Sequence, residues 1–83
     1  MASVEQVHTA LNQVQDHLRT AYQQVSHAQQ RLNEAVAILT AASRLHPRSL
    51  VPPELSRACE HIGEQLSLIT SGMEAVERFA GRL

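Results

Sequence analysis

Small and apolar residues recur along the first half of the chain in alternating steps of three and four. They are Val4, Val7, Leu11, Val14, Leu18, Ala21, Val25, Ala28, Leu32, Ala35, Leu39 and Ala42. The second half repeats the pattern at Leu55, Cys59, Ile62, Leu66, Ile69, Met73, Val76, Ala80 and Leu83. Such a 3-4 repeat is typical of a coiled-coil seam. The pattern therefore predicts two long amphipathic helices.

Helix-capping and helix-breaking residues set the limits of these helices. Ser3 with Gln6 forms a capping-box signature at the start of the first helix. Pro47 should end that helix, because the residue before a proline is disfavoured in the α region. Pro53 suits the first position of a second helix. We predict a single domain spanning 1–83, with helix 1 over about 4–45, a turn over 46–52 and helix 2 over about 53–82.

The short turn predicts an all-α, antiparallel two-helix coiled-coil hairpin. A turn centred near residue 50 fixes which seam residues face each other. The predicted layers are Ala42/Cys59, Leu39/Ile62, Ala35/Leu66, Leu32/Ile69, Ala28/Met73, Val25/Val76, Ala21/Ala80 and Leu18/Leu83. In this register the two aromatic residues, Tyr22 and Phe79, are close enough to touch. A register displaced by one heptad is the alternative.

In the first register, residues 4–17 extend beyond helix 2 although they continue the apolar pattern. A second apolar face lies beside the seam. A lone hairpin of this size without disulfide or metal is a poor candidate for a stable monomer. We therefore expect a homodimer that forms a four-helix bundle, or another helical protein partner. The predicted interface residues are Val4, Val7, Leu11, Val14, Tyr22, Val36, Ile38, Leu68 and Phe79. The alternative is that the N-terminal segment frays and its pattern is incidental.

Composition excludes several partner classes. The net charge is −1, whereas a nucleic-acid-binding domain needs a basic stripe. No apolar run approaches the roughly 18 residues of a membrane span, and no signal-peptide pattern is present. We thus expect no nucleic-acid or membrane partner. The expected location is the cytoplasm, or the cell exterior by export without a secretory signal peptide.

Candidate chemistry in the sequence is sparse. The spacing of Glu5 and His8 matches the Glu-x-x-His element of di-iron bundles, but its second copy and the inward-facing glutamates are absent. Cys59 occupies a seam position and is expected to pack as a small apolar residue. His46 is expected to cap helix 1. We predict no catalytic, metal or cofactor site, no small-molecule substrate, and no pocket of ligand size.

The chain resembles the WxG-type helical-hairpin proteins of type VII secretion in its overall layout over residues 4–83. The turn reads His46-Pro47-Arg48-Ser49-Leu50 without a Trp-x-Gly, and Tyr22 is not followed four residues later by an acid. The resemblance implies a dimeric four-helix bundle and a role as an accessory or partner of larger exported proteins. It assigns no functional residue.

A non-enzymatic helical interaction module is the function that the sequence predicts. One version is a type VII-like accessory or partner protein. The alternative is an intracellular scaffold or adaptor, or a small subunit of a larger assembly. A metal-binding bundle is the third and weakest hypothesis.

Overall fold

The computed structural model describes residues 3–83 and contains two antiparallel helices. Helix α1 spans Val4–Ser43, and helix α2 spans Pro53–Gly81. The helices pack along their length into a body whose Cα extents are 65 × 17 × 15 Å. This confirms the predicted all-α hairpin. None of the helices in the described part of the chain is sufficiently long and apolar to span a membrane.

The helix starts follow from local chemistry. The Ser3 side chain accepts a hydrogen bond from the Gln6 backbone N–H at 3.1 Å, and Gln6 Oε1 accepts one from the Ser3 N–H at 2.9 Å. This reciprocal pair satisfies two N–H groups that the helix itself leaves unpaired. Pro53 begins α2, with Glu54 in its first turn. Both predicted helix starts are confirmed.

The loop between the helices begins two residues earlier than expected. Helix α1 ends at Ser43, whose hydroxyl donates to Leu39 O at 2.7 Å and accepts from the Leu50 N–H at 2.8 Å. These bonds hold the returning chain against the end of α1. The His46 side chain does not cap α1, because its Nδ1 lies 3.3 Å from Arg48 N and 3.2 Å from Arg48 O; the His46 backbone N–H, however, donates to Ser43 O at 3.1 Å.

The first of the two predicted registers is wrong, and the alternative displaced by one heptad fits the contacts better. Gln15 Nε2 donates to the Met73 carbonyl oxygen at 3.1 Å, whereas the prediction placed Met73 opposite Ala28. Those two α1 positions are separated by about 20 Å along a helix at ~1.5 Å per residue. The loop explains the shift: because Leu50 already lies level with Ser43, the chain reverses nearer residue 47 than residue 50.

The shifted register shortens the N-terminal overhang. Leu11 and Ala80 line the same groove, so α2 ends near the level of Leu11 rather than Leu18. Residues 4–10, about two turns, therefore extend past α2. Within them Val4 is exposed and Val7 half-buried.

The seam of α1 is rotated from its predicted position. The residues Leu11, Leu18, Val25, Leu32 and Leu39 are half-buried as expected. On one flank, however, Val14, Ala28 and Ala42 are exposed, while Val7, Ala21 and Ala35 stay half-buried. On the other flank Gln15, Gln29, Val36 and Ser43 are half-buried, and Tyr22 is exposed. Alanine offers little area to bury, so the longer side chains of the second flank contribute more to packing. In α2 the predicted seam from Leu55 to Ala80 is half-buried throughout.

The hairpin has no closed core. Among residues 3–83 no side chain, apolar or polar, falls in the buried class. Two helices enclose only one line of side chains, and every seam residue keeps one edge open to solvent. The hairpin therefore leaves much apolar surface exposed to solvent.

Candidate protein interface

A groove lies on one side of the hairpin near its open end. Leu11, Met73, Val76 and Ala80 supply apolar lining, with Tyr22 at one end. The remaining lining residues are polar or charged: Asn12, Gln15, Asp16, Arg19, Thr70, Glu74 and Glu77. Its volume is about 610 Å³. The expectation that so thin a hairpin has no ligand-sized depression is therefore wrong, although the groove is open along its length.

Gln15 is the polar residue that ties the two helices together in this groove. Its Nε2 donates to Met73 O, which fixes the orientation of the amide because a carbonyl oxygen only accepts. The other amide atom, Oε1, is buried and has no hydrogen-bond partner. An unsatisfied buried acceptor costs about 1–3 kcal/mol. The sequence analysis did not identify Gln15 as a contact residue. The only feature of the sequence that indicates such a role is its position four residues after the seam residue Leu11.

We expect Gln15→Leu to raise the free energy of unfolding by about 1 kcal/mol, because it removes the unpaired oxygen and adds apolar surface to the groove. The lost bond leaves no orphan, since Met73 O lies inside α2 and keeps its helical donor. Urea denaturation followed by circular dichroism measures the change. Gln13→Leu, at an exposed position on the same helix, is the control and should be near neutral. A less stable Gln15→Leu variant would show that the amide stabilises the hairpin.

The opposite side of the hairpin carries four of the nine exposed large apolar residues in the described part of the chain. We call Val14, Ile38, Leu68 and Phe79 the lateral face; their exposed fractions are 42%, 70%, 71% and 50%. Helical geometry places them together. From the seam, a step of four residues leads from Leu11 to Gln15 on the groove side, and a step of three leads to Val14 on the other side.

The same geometry applies to the other members of the lateral face. In α2, a step of three from Val76 leads to Phe79, whereas the groove-lining Glu77 follows Met73 by four. Leu68 precedes Phe79 by eleven residues, close to three full turns, so it lies in the same line. Ile38 lies on the matching side of α1, between Ala35 and Ala42.

Small residues fill the rest of the lateral side. They are Ala21, Ala28, Ala35 and Ala42 on α1, and Ala58, Gly72 and Ala75 on α2. A Cβ atom added to Gly72 would meet nothing within 4 Å. Packing inside the hairpin thus gives no reason for this glycine, which costs about 1 kcal/mol relative to alanine in a helix interior. The space is equally open at Gly63 and Gly81, so the open space at Gly72 does not by itself single out this side of the hairpin.

The structure separates the predicted interface residues into different environments. Val7 and Leu11 are half-buried in or beyond the seam, and Val4 is exposed at the start of α1. Tyr22 lines the groove. Val36 lies about 200° around α1 from Ile38, so these two predicted interface residues do not share one face of the helix.

Tyr22 and Phe79 do not approach each other. Phe79 lies near the level of Leu11, about 16 Å along the axis from Tyr22 at ~1.5 Å per residue. They also lie on opposite sides of the hairpin.

Groups with reactive or metal-binding chemistry do not converge. Within residues 3–83, no three His, Cys, Asp or Glu side chains lie close enough together to hold a metal ion. Cys59 is a half-buried free thiol in the seam of α2. The one ion pair in the described part of the chain joins Arg19 Nη1 to Asp16 Oδ1 at 3.0 Å, and both side chains are well exposed. Such a pair contributes little to stability.

Comparisons with known proteins give no assignment: no family model, no curated protein and no solved structure matches the chain.

Proposed function

We propose that the chain is a non-enzymatic helical interaction module, and that the lateral face is its binding surface. The observation that carries this proposal is the distribution of apolar side chains. No described side chain is buried, and Val14, Ile38, Leu68 and Phe79 are exposed at positions that helical spacing places opposite the groove. Exposed apolar side chains grouped on one side of a small protein are typical of sites of protein association.

The surface area of the chain supports the same conclusion. Its accessible surface is 6535 Å², whereas a compact monomer of 9.2 kDa would expose about 4,900 Å². The excess of roughly 1,600 Å² exceeds the approximately 800 Å² that one partner contributes to a standard interface. Association through one long side of the molecule would remove much of this excess.

Charge also distinguishes the two sides. The groove side carries Asp16, Arg19, Glu74 and Glu77. The four residues of the lateral face are themselves uncharged, and the ionisable residues Arg31 and His61 lie one heptad from Ile38 and Leu68. Depletion of charge at the centre of a patch is a mark of protein interfaces. We therefore place the partner on the lateral face rather than in the groove.

We expect Leu68→Glu to abolish association while leaving the hairpin helical. Its carboxylate would have to be desolvated in an apolar interface, at a cost of several kcal/mol. Thr70→Glu is the matched control, because it introduces the same charge two residues away at an exposed position on the groove side. Sedimentation equilibrium measures self-association, and affinity capture from the native source measures binding of another protein.

The two variants give a clear decision. Loss of association in Leu68→Glu alone supports the proposal. Equal behaviour of the two variants, or a wild-type chain that remains a 9.2 kDa monomer and captures nothing, would overturn it. The type VII-like accessory role and the intracellular scaffold role both remain proposals within this function, and the identity of a captured partner separates them.

A further inference from the structure

We propose that the groove is a second binding site, and that it takes a basic amphipathic helical segment of a partner protein. The groove lies on the side of the hairpin opposite the lateral face, so this site goes beyond the proposed function. Its occupant also differs in chemistry, because the lateral face is uncharged whereas the groove has an acidic rim.

The floor of the groove is apolar and follows the contact between the two helices. Leu11, Met73, Val76 and Ala80 form it, and each of them is half-buried. Each therefore keeps apolar surface that an occupant can cover. Met73 suits such a floor, since its flexible and polarizable thioether adapts to different partner side chains.

Unpaired carboxylates line the rim of the groove. Glu74 and Glu77 are exposed on the α2 wall, and no arginine within residues 3–83 forms an ion pair with either of them. On the α1 wall, Asp16 pairs at 3.0 Å with Arg19, which is the only basic residue of the lining. Three acids and one arginine give the lining a net charge of −2. Basic side chains beside the apolar stripe of an occupant complement this rim.

Tyr22 at one end of the groove adds a second feature that favours a cation. Its side chain is 40% exposed, and the face of an aromatic ring attracts a guanidinium or ammonium group within about 6 Å. Arg78 and Arg82, the basic residues nearest in sequence to the rim acids of α2, do not line the groove. The site is therefore selective for arginine or lysine on the occupant.

The shape of the groove favours a helix over a small molecule. On α1 the lining extends from Leu11 to Tyr22, about 16 Å or three helical turns at ~1.5 Å per residue. The groove is open along this length, whereas small-molecule sites enclose most of the ligand surface. Both walls are helices, so an extended peptide finds no strand edge to pair with. An amphipathic helix needs neither enclosure nor a strand edge, because its apolar stripe packs directly into a groove.

Titration of the full-length chain with a synthetic peptide tests this site. The probe is a fluorescent helical peptide of about twelve residues, stapled on its outward face because an isolated helix of this length is marginal in water. It carries a leucine stripe at helical spacing, with arginines on both sides of the stripe. Fluorescence anisotropy measures the Kd. A second probe with serine in place of each leucine should bind at least about tenfold more weakly, since it cannot cover the apolar floor.

Glu74→Arg combined with Glu77→Arg should weaken binding of the arginine probe at least about tenfold, because like charges then face each other across the groove. The same double variant should bind a probe with glutamate in place of arginine more tightly than the wild type does. Glu60→Arg combined with Glu64→Arg is the matched control, since it changes the net charge equally at exposed positions of α2 outside the groove. Circular dichroism checks that both double variants remain helical.

Loss of binding in the groove variant alone, with gain of the glutamate probe, supports the second site. Equal losses in the two double variants would mean that the probe responds only to net charge, which overturns it. Equal binding of the serine probe, or a wild-type Kd weaker than about 1 mM, overturns it as well.

Leu68→Glu separates this site from the lateral face. It should leave binding of the arginine probe unchanged, and a weakened Kd in that variant would show that the probe does not occupy a separate groove site. The proposed function is judged by association through the lateral face, so it stands or falls independently of the peptide titration.

Discussion

Leu32→Asp is expected to unfold most of the hairpin at 25 °C. Leu32 lies in the central line of the α1 seam and is half-buried. The substitution removes apolar contact and places a carboxylate between the helices, at a combined cost of at least about 3 kcal/mol. A domain this small has little stability in reserve. The helical signal in circular dichroism should fall, and amide hydrogen exchange should lose its protection.

Asn33→Asp provides the control for this variant. It introduces the same charge one residue along, at an exposed position, so it should leave the helical signal intact. If Leu32→Asp melts at the same temperature as Asn33→Asp, the seam does not hold the two helices together. The contrast with Leu68→Glu is also informative, because that variant should stay helical while losing its partner.

Ser71→Pro is expected to destabilise the chain by about 3 kcal/mol or more. Ser71 lies in the interior of α2, which continues without interruption from Pro53 to Gly81. A proline there removes an N–H from the helical ladder and its ring clashes with the preceding turn. Thermal denaturation followed by circular dichroism measures the loss.

Ser71→Ala separates the backbone effect from loss of the hydroxyl, and it should be neutral or slightly stabilising because alanine is the better helix former. The sequence Ser71-Gly72-Met73-Glu74 also reads as the start of a fresh helix. If Ser71→Pro were tolerated, α2 would consist of two helices in solution, since a proline is accepted in a first turn.

The helix type and the helix starts could be predicted because they depend on neighbouring residues. Ser3 and Gln6 form their capping box within one turn, and Pro53 fixes its own backbone. The apolar repeat from Leu55 to Leu83 keeps its phase, so it predicted one continuous second helix, as observed. These features require no knowledge of where the other helix lies.

The register could not be predicted in the same way. Shifting α2 by one heptad along α1 still places apolar residues against apolar residues, so the pattern alone does not discriminate. The decisive contact is the bond from the Leu50 N–H to Ser43 Oγ, which pulls the chain back before the middle of the assumed turn. Hydrogen bonds of this kind depend on loop conformation, which a periodicity does not report.

The residues of the proposed binding surface could be predicted only in part, because their grouping also depends on how the two helices pack. Ile38, Leu68 and Phe79 were identified because they are large and lie outside the seam. Their grouping with Val14, and the separation of Val36 and Tyr22 from them, depends on how far α1 rotates about its own axis. That rotation depends on which flank of α1 buries more area against α2. The flank with Gln29 and Val36 buries more than the alanine flank, because its side chains are longer.

The slender shape of the hairpin has a consequence for its hydrodynamics. The radius of gyration is 19.1 Å, whereas a compact domain of 83 residues would have one of about 12 Å. A rod of this length tumbles and diffuses like a considerably heavier sphere, so a single hairpin would elute from a size-exclusion column ahead of globular standards of its own mass. Lateral pairing thickens the rod without lengthening it. Elution volume therefore separates one copy from two poorly, and only a method that reports mass independently of shape distinguishes them.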